Sequence, residues 1–267
     1  MKREPSVAGQ FYYAHASRLT EQVEACIESQ AKKEEVLGVV SPHAGLVYSG
    51  HVAGKVFSST VIPQTFILLG PNHTGLGSKI SLMDSGEWEI PTGTFSIDNK
   101  LSHKIAAGCP LVTKDSSAHL FEHSLEVQLP FIAYFSKTVK IVPIVMLSAT
   151  VEDCQTVGMA IADAVKAMHY AVVVVASSDM SHYVSDEIAR KKDKLAIDRM
   201  LSLDPEDLYE IVLTERISMC GFIPVVTMLF AAKALGAQSA KLLKYATSGE
   251  ISGDYDHVVG YAGLVVR

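Results

Sequence analysis

Three histidines in this chain share one local grammar. In "VVSPHAGLVYSG" (39–50) an apolar run passes through Ser41-Pro42 into His43, with a glycine two residues on. "FILLGPNHTG" (66–75) repeats the order: apolar run, proline, His73, glycine. "VVVVASSDMSHY" (172–183) places Asp179 and His182 just beyond a third run. A fourth stretch, "KLLKYATSGEISGD" (241–254), ends in Glu250 and Asp254. Neutral imidazole is a ligand for zinc, iron and copper. Two imidazoles and one carboxylate make a metal face with open positions for substrate or dioxygen. The prolines and glycines beside His43 and His73 would set the direction of those two and let backbone or ligand approach closely.

Other polar groups compete for attention. In "FEHSLEVQLPF" (121–131), Glu122, His123 and Glu126 sit where a helix would open. They read either as helix N-terminal carboxylates and caps or as a shell in which Glu122 or His123 orients a metal-bound histidine. "SSDMSH" suggests a serine hydrolase, but the G-x-S-x-G elbow is absent. Cys220, in "SMCGFIP", reads as a thiol nucleophile or, more simply, as a buried small residue. His15, His51, His103, His119, His169 and His257 lack the strand-end context and carry no functional expectation.

The elements that must position these groups follow from periodicity. Residues 36–41, 65–70, 140–147, 171–177, 241–247 and 257–266 read as strands, several apolar at every position. Such strands need cover on both faces. Helical spacing appears over 18–33, 123–135, 150–169, 185–202 and 224–235. Pro130 should sit within or end the second of these. Thr150 and Asp153 read as a capping pair for the third. The alternation predicts one α/β domain over 1–267, with a mixed central sheet and helices on both faces. In such folds ligands bind at the carboxyl ends of the strands.

Composition agrees. Of 267 residues, 48% are hydrophobic and 19% charged, as in an ordinary folded chain. The net charge of −6 and the lack of a basic block argue against nucleic acid. Four cysteines without C-x-x-C spacing argue against a cysteine zinc site or a disulfide framework. No secretory segment and no membrane-length apolar run are visible, so a cytoplasmic protein is expected.

In order and spacing, "REPSVAGQFY", "SPHAGLVYSG", "LLGPNHTG", "EHSLEVQLPF", "SSDMSHY", "CGFIPV", "YATSGEISGD" and "VVGYAG" resemble the Memo family over nearly the whole chain. The resemblance implies a fold like that of class III extradiol (LigB-type) dioxygenases, with a metal at the strand ends. Iron is expected first, with copper or zinc as alternatives. It makes His43 and His73 metal ligands, and Asp179 and His182 pocket residues, His182 in the place of the dioxygenase acid/base. The family's animal member has a cysteine ligand where, without gaps, this chain has Ile251. Glu250 is therefore the expected third ligand, with Asp254 behind it. The implied function is a non-haem, dioxygenase-like oxidoreductase acting on a small molecule or peptide. The alternative is a non-catalytic peptide- or protein-binding module working with AMMECR-like and radical SAM proteins.

Overall fold

Strands that are apolar on every residue cannot face water on either side. The computed structural model, which describes residues 1–267, covers them on both. The chain runs β1 (Lys2–Arg3), α1 (Ala16–Glu24), β2 (Gly38–Ser41), α2 (Leu46–Ser58), β3 (Thr65–Pro71), β4 (Ile80–Leu82), β5 (Glu87–Ile90), β6 (Gly93–Ser96), α3 (Asn99–Gly108) and β7 (Thr113–Lys114). It continues with α4 (Leu129–Phe135), β8 (Lys140–Met146), α5 (Val151–Lys166), β9 (Val172–Ser177), β10 (His182–Val184), α6 (Asp186–Leu201), α7 (Pro205–Thr214), α8 (Phe222–Ala234), β11 (Ala240–Thr247), α9 (Gly249–Ser252) and β12 (Val258–Val266).

The main sheet has the order β10-β12-β2-β9-β3-β8-β4-β7, with β11 also paired to β12. Its centre is parallel: β2 with β9, β9 with β3, and β3 with β8. Antiparallel β12 and β4 flank that centre, so the sheet is mixed. The register pairs Ser41 with Ser177, Leu69 with Ala176 and Pro71 with Met146. The carboxyl ends of β2, β9, β3 and β8 therefore finish side by side. A small sheet of β1, β5 and β6 stands apart.

Successive residues of each central strand enter opposite apolar layers. Val40, Ile67, Leu69, Val174 and Ala176 join a cluster of 39 buried residues with α3, α5, α6, α7 and α8. Val39, Phe66, Leu68, Val173 and Val175 join one of 30 with α1, α2 and α4. Each such side chain contributes about 1.5–3 kcal/mol by leaving water. No helix is long and apolar enough to cross a membrane.

Several boundaries differ from expectation. The first helix ends at Glu24 rather than near 33. The chain turns there because the Cys26 backbone packs onto Gly54 of α2, where a Cβ would lie 2.1 Å from the Cys26 carbonyl oxygen. Of the two places expected for Pro130 the structure takes the first: it lies within α4, in the first turn, where no N–H donor is needed, so the helix starts at Leu129 rather than near 123. Residues 120–125 accordingly lie outside the helix, between two 3-10 turns at Ser117–His119 and Glu126–Gln128. The capping box of Thr150 and Asp153 on α5 is present.

His119 is wholly buried, edge-on to Trp88, with Nε2–H donating to the Ser81 carbonyl and Nδ1 without a partner. Burial, and then the Arg3 charge, lower its pKa from 6.5 to about 4. The folded state thus rejects a proton that the unfolded chain accepts. This contribution, about 3 kcal/mol, is complete above pH 6.5 and lost as the pH falls towards about 4. The urea midpoint of the wild type should fall relative to that of His119→Leu over that interval as the pH falls, because the variant lacks this one proton's dependence. Parallel curves would assign the acid sensitivity to other groups.

Candidate metal centre

His43 leaves the end of β2 with its backbone fixed from the β9 side. Its N–H donates to Asp179 Oδ1 at 2.8 Å, and the Ala44 N–H joins it at 3.3 Å. Ser177 Oγ–H donates to the Ser124 carbonyl at 2.6 Å. The same oxygen therefore accepts from Gln128 Nε2 and from His43 Nδ1, both at 2.9 Å. That assigns the proton of His43 to Nδ1 and leaves a lone pair on Nε2. Burial, helped by His123 and His73, holds the His43 pKa well below its ordinary value, so this ring is neutral.

His73 leaves β3 through a turn closed by Asn72, whose Oδ1 accepts from the Thr74 and Gly75 N–H groups. The 120–125 segment lies against this strand end because Gly70 has no side chain. A Cβ there would meet Leu125 and Ser124 at 2.6 Å. From that segment Glu122 accepts from His73 Nδ1 at 3.0 Å, from the His73 N–H, and from the Ser124 N–H at 2.8 Å. Burial alone would raise the Glu122 carboxyl, but the hydrogen bond and charge of His73 and the two amides outweigh it. The pKa is held at about 2. When the His73 ring is neutral, the carboxylate accepts from its Nδ1–H and leaves Nε2 free.

His123 follows Glu122, with Nδ1 3.5 Å from the same carboxylate oxygen. Its ring stacks on His73 at 4.6 Å and meets His43 edge-on at 5.5 Å. One ligand nitrogen each from His43, His73 and His123 lies within 4.8 Å of the other two. Tetrahedral donors bound at ~2.0–2.1 Å stand about 3.4 Å apart, so ring movements of about 1 Å close this set on one ion. The residues fit a divalent first-row metal: three imidazoles, two with the tautomer fixed by a hydrogen bond, and an open side.

Across His43 lie the remaining strand-end groups. His182, on β10, directs Nδ1–H at the carbonyls of Met180 and Ser218, 2.8 and 2.9 Å away, which leaves Nε2 as a base. Asp179 is buried, and burial raises its carboxyl pKa against the pull of the His43 amide. Cys220 puts Sγ 3.3 Å from His43 Nε2. Burial, then Asp179, push this thiol up, so it stays protonated. A cavity of about 630 Å³ lined by Thr65, Asp98, Lys100, Lys140 and Tyr170 lies at the amino ends of β3 and β8, at the opposite edge of the sheet. Its Asp98 is already committed to capping α3 and to Thr65 and Tyr170.

A family model described as Memo-like protein matches residues 3–265. The chain belongs to the Memo family. It is 44% identical over 285 residues to a MEMO1 family protein of Methanococcus maripaludis, covering 100% of both. It is 41% identical over 281 residues to one of Methanopyrus kandleri, covering 100% of this chain and 99% of the other. For one of Methanocaldococcus jannaschii the figures are 42% over 284 residues and 99% of each. Among solved structures, an uncharacterized protein from Escherichia coli K12 superposes with a TM-score of 0.60 at 12% identity, over 86% of this chain and 100% of that one. At that identity the likeness is one of fold.

Within this Memo chain the group that stands third beside His43 and His73 is not the one the sequence placed there. Glu250 was expected to complete the metal face, but β11 ends at Thr247 and Glu250 lies on the short α9. There it is exposed and held by Arg190 at 3.1 Å, so it is not grouped with the histidines. Asp254 is also diverted, accepting from the Asp256 and His257 N–H groups in an exposed turn. His123, expected only to orient a ligand, instead stands among the ligand nitrogens. The orienting group is Glu122. Cys220 has no strand-end signal, and only its approach to His43 marks it.

Glu122→Gln preserves shape but removes the charge that fixes His73. Loss of an outer partner of this kind should weaken cobalt or zinc binding about 10–100-fold by calorimetry. Affinity equal to the wild type would show that His73 is oriented without it.

Proposed function

We propose that this Memo family protein is a metal-dependent enzyme, a non-haem oxidoreductase of the dioxygenase-like class. The observation that carries the reading is the convergence of three imidazoles, His43, His73 and His123; His182, on β10, keeps Nε2 free of hydrogen bonds. Iron is the expected metal, with copper or zinc as alternatives. Bound there, it would polarise a coordinated substrate as a Lewis acid and, as iron or copper, supply one-electron chemistry. His182 Nε2 takes a proton from an ionisable substrate group, its ring held by the two carbonyls on Nδ1. Asp179, whose carboxyl pKa burial raises, holds the His43 and Ala44 amides and so the backbone that carries His43. The fold likeness expected with extradiol dioxygenases supports the redox reading but does not carry it.

A second reading, a binding module for a peptide or for AMMECR-like and radical SAM partners, is favoured by one feature. Phe121, Tyr183 and Tyr255 are exposed by 66%, 76% and 50%, and the first two adjoin site residues. The readings separate by experiment. Anaerobically purified wild type should carry one metal per chain by elemental analysis. His43→Ala, His73→Ala and His123→Ala should each lose tight binding, while Glu250→Gln keeps it. His182→Phe should retain metal yet abolish dioxygen uptake with a panel of ring diols. Full metal content in the three alanine variants would remove the enzyme reading. Partner binding that survives in those variants would favour the module.

A further inference from the structure

His123 has little of its own to hold it. Its one side-chain tie is the 3.5 Å approach to Glu122, and its backbone lies between two 3-10 turns. What fixes this segment comes from the other end of the chain. Arg3 is 1% exposed, and its guanidinium grips the segment at three points. Nε donates to the His119 carbonyl at 2.6 Å, Nη2 to the Glu122 carbonyl at 2.7 Å, and Nη1 to Glu126 Oε2 at 2.7 Å. Trp88 lies 4.1 Å beneath the guanidinium. Glu126, fully buried, also accepts from the Ser6 and Val7 N–H groups and from the Tyr12 hydroxyl. The Phe11 ring packs on His123 at 4.7 Å, and the Phe11 carbonyl accepts from Leu46 N–H at the start of α2, just beyond His43.

We propose that residues 3–12 are a positioning clamp for the metal centre, holding His123 against His43 and His73 through Arg3, Glu126, Tyr12 and Phe11. The inference rests on the metal reading above. None of these groups is a ligand; they act through the placement of His123. A buried planar guanidinium with three fixed acceptors permits one geometry, which a lysine would not reproduce. The Phe11 ring, tilted by 59° against the imidazole, occupies the space into which the His123 side chain would swing. Freed from the clamp, the segment would leave a two-imidazole site.

Cobalt(II) titration reads this directly, because its visible d–d bands report the number and geometry of donors. Tyr12→Phe and Phe11→Leu are mild changes expected to leave the fold intact, and Arg3→Lys is the harsher test. Each should weaken cobalt binding about 10-fold or more, by analogy with other outer-shell losses. Each should also move the bands towards those of His123→Ala. In a double-variant cycle, Tyr12→Phe should cost nothing further when His123 is already alanine. Ile161→Val, a remote core change, should lower the thermal midpoint yet leave cobalt affinity and spectrum as in the wild type. Unchanged affinity and bands in the Tyr12 and Phe11 variants would overturn the clamp. So would an equal further loss in the His123→Ala background. A wild-type chain that binds no cobalt would overturn the metal reading beneath it.

Discussion

The arrangement at the strand ends depends on one carboxylate. Glu122 is completely buried, and a buried charge costs several kcal/mol unless hydrogen bonds replace its water. Here the His73 amide, the Ser124 amide and the His73 ring supply them. The requirement works in both directions. The carboxylate stays ionised because those donors surround it, and the donors stay put because it is ionised. The end of β3 and the irregular 120–125 segment are thereby locked at one point, and that point is where two of the three imidazoles meet.

The sheet brings the third. Parallel register ends β2 and β9 beside β3, so Ser177 lies under the His43 ring and Asp179 under its amide. The two buried carboxyls of the site are pushed in opposite directions. Glu122 receives a ring N–H and amides and is held near 2, whereas Asp179 receives two amides and is raised because complete burial outweighs them. Glu122 faces the His73 and His123 rings, and Asp179 holds the His43 and Ala44 amides.

The sequence was readable where chemistry coincided with periodicity. His43, His73 and His182 each follow a fully apolar run, so their position past a strand end could be inferred without a structure. Strands β2, β3, β8, β9, β11 and β12, helices α1, α4, α5, α6 and α8, and the α5 capping box were legible for the same reason, whereas α2, α3, α7 and the short strands were not. His123 was not readable as a ligand because its neighbourhood resembles a helix start, and only the burial of Glu122 and Glu126 turns those carboxylates inward. The signal was the spacing of two acids around one histidine, which a helix cap also produces. Glu250 was expected because it neighbours Ile251, which stands at the family cysteine position, and sequence adjacency does not say where a side chain points. The chain turns into α9, ended by Gly253 at φ +75°, and Arg190 draws the carboxylate outward. Contacts between distant segments, such as Arg3 with Glu126 or Cys220 with His43, leave no local pattern at all.

The exchange of a carboxylate for an imidazole changes the electrostatics of the centre. With Glu250 as a ligand, a divalent ion would have had one negative charge in direct contact. With His43, His73 and His123 all donors are neutral, and an ion between them would keep its full double charge. The nearest compensation, Glu122, acts through the His73 ring and makes that imidazole the more basic donor. Asp179 acts through the His43 backbone and shares its face with the Cys220 thiol, which burial keeps protonated. Such a centre attracts an anionic oxygen ligand more strongly than a carboxylate-ligated one would, because less of the ionic charge is cancelled within bonding distance. A ligand that ionises on binding would gain most from such a donor set, and His182, its Nδ1–H held by two carbonyls, keeps Nε2 free of hydrogen bonds.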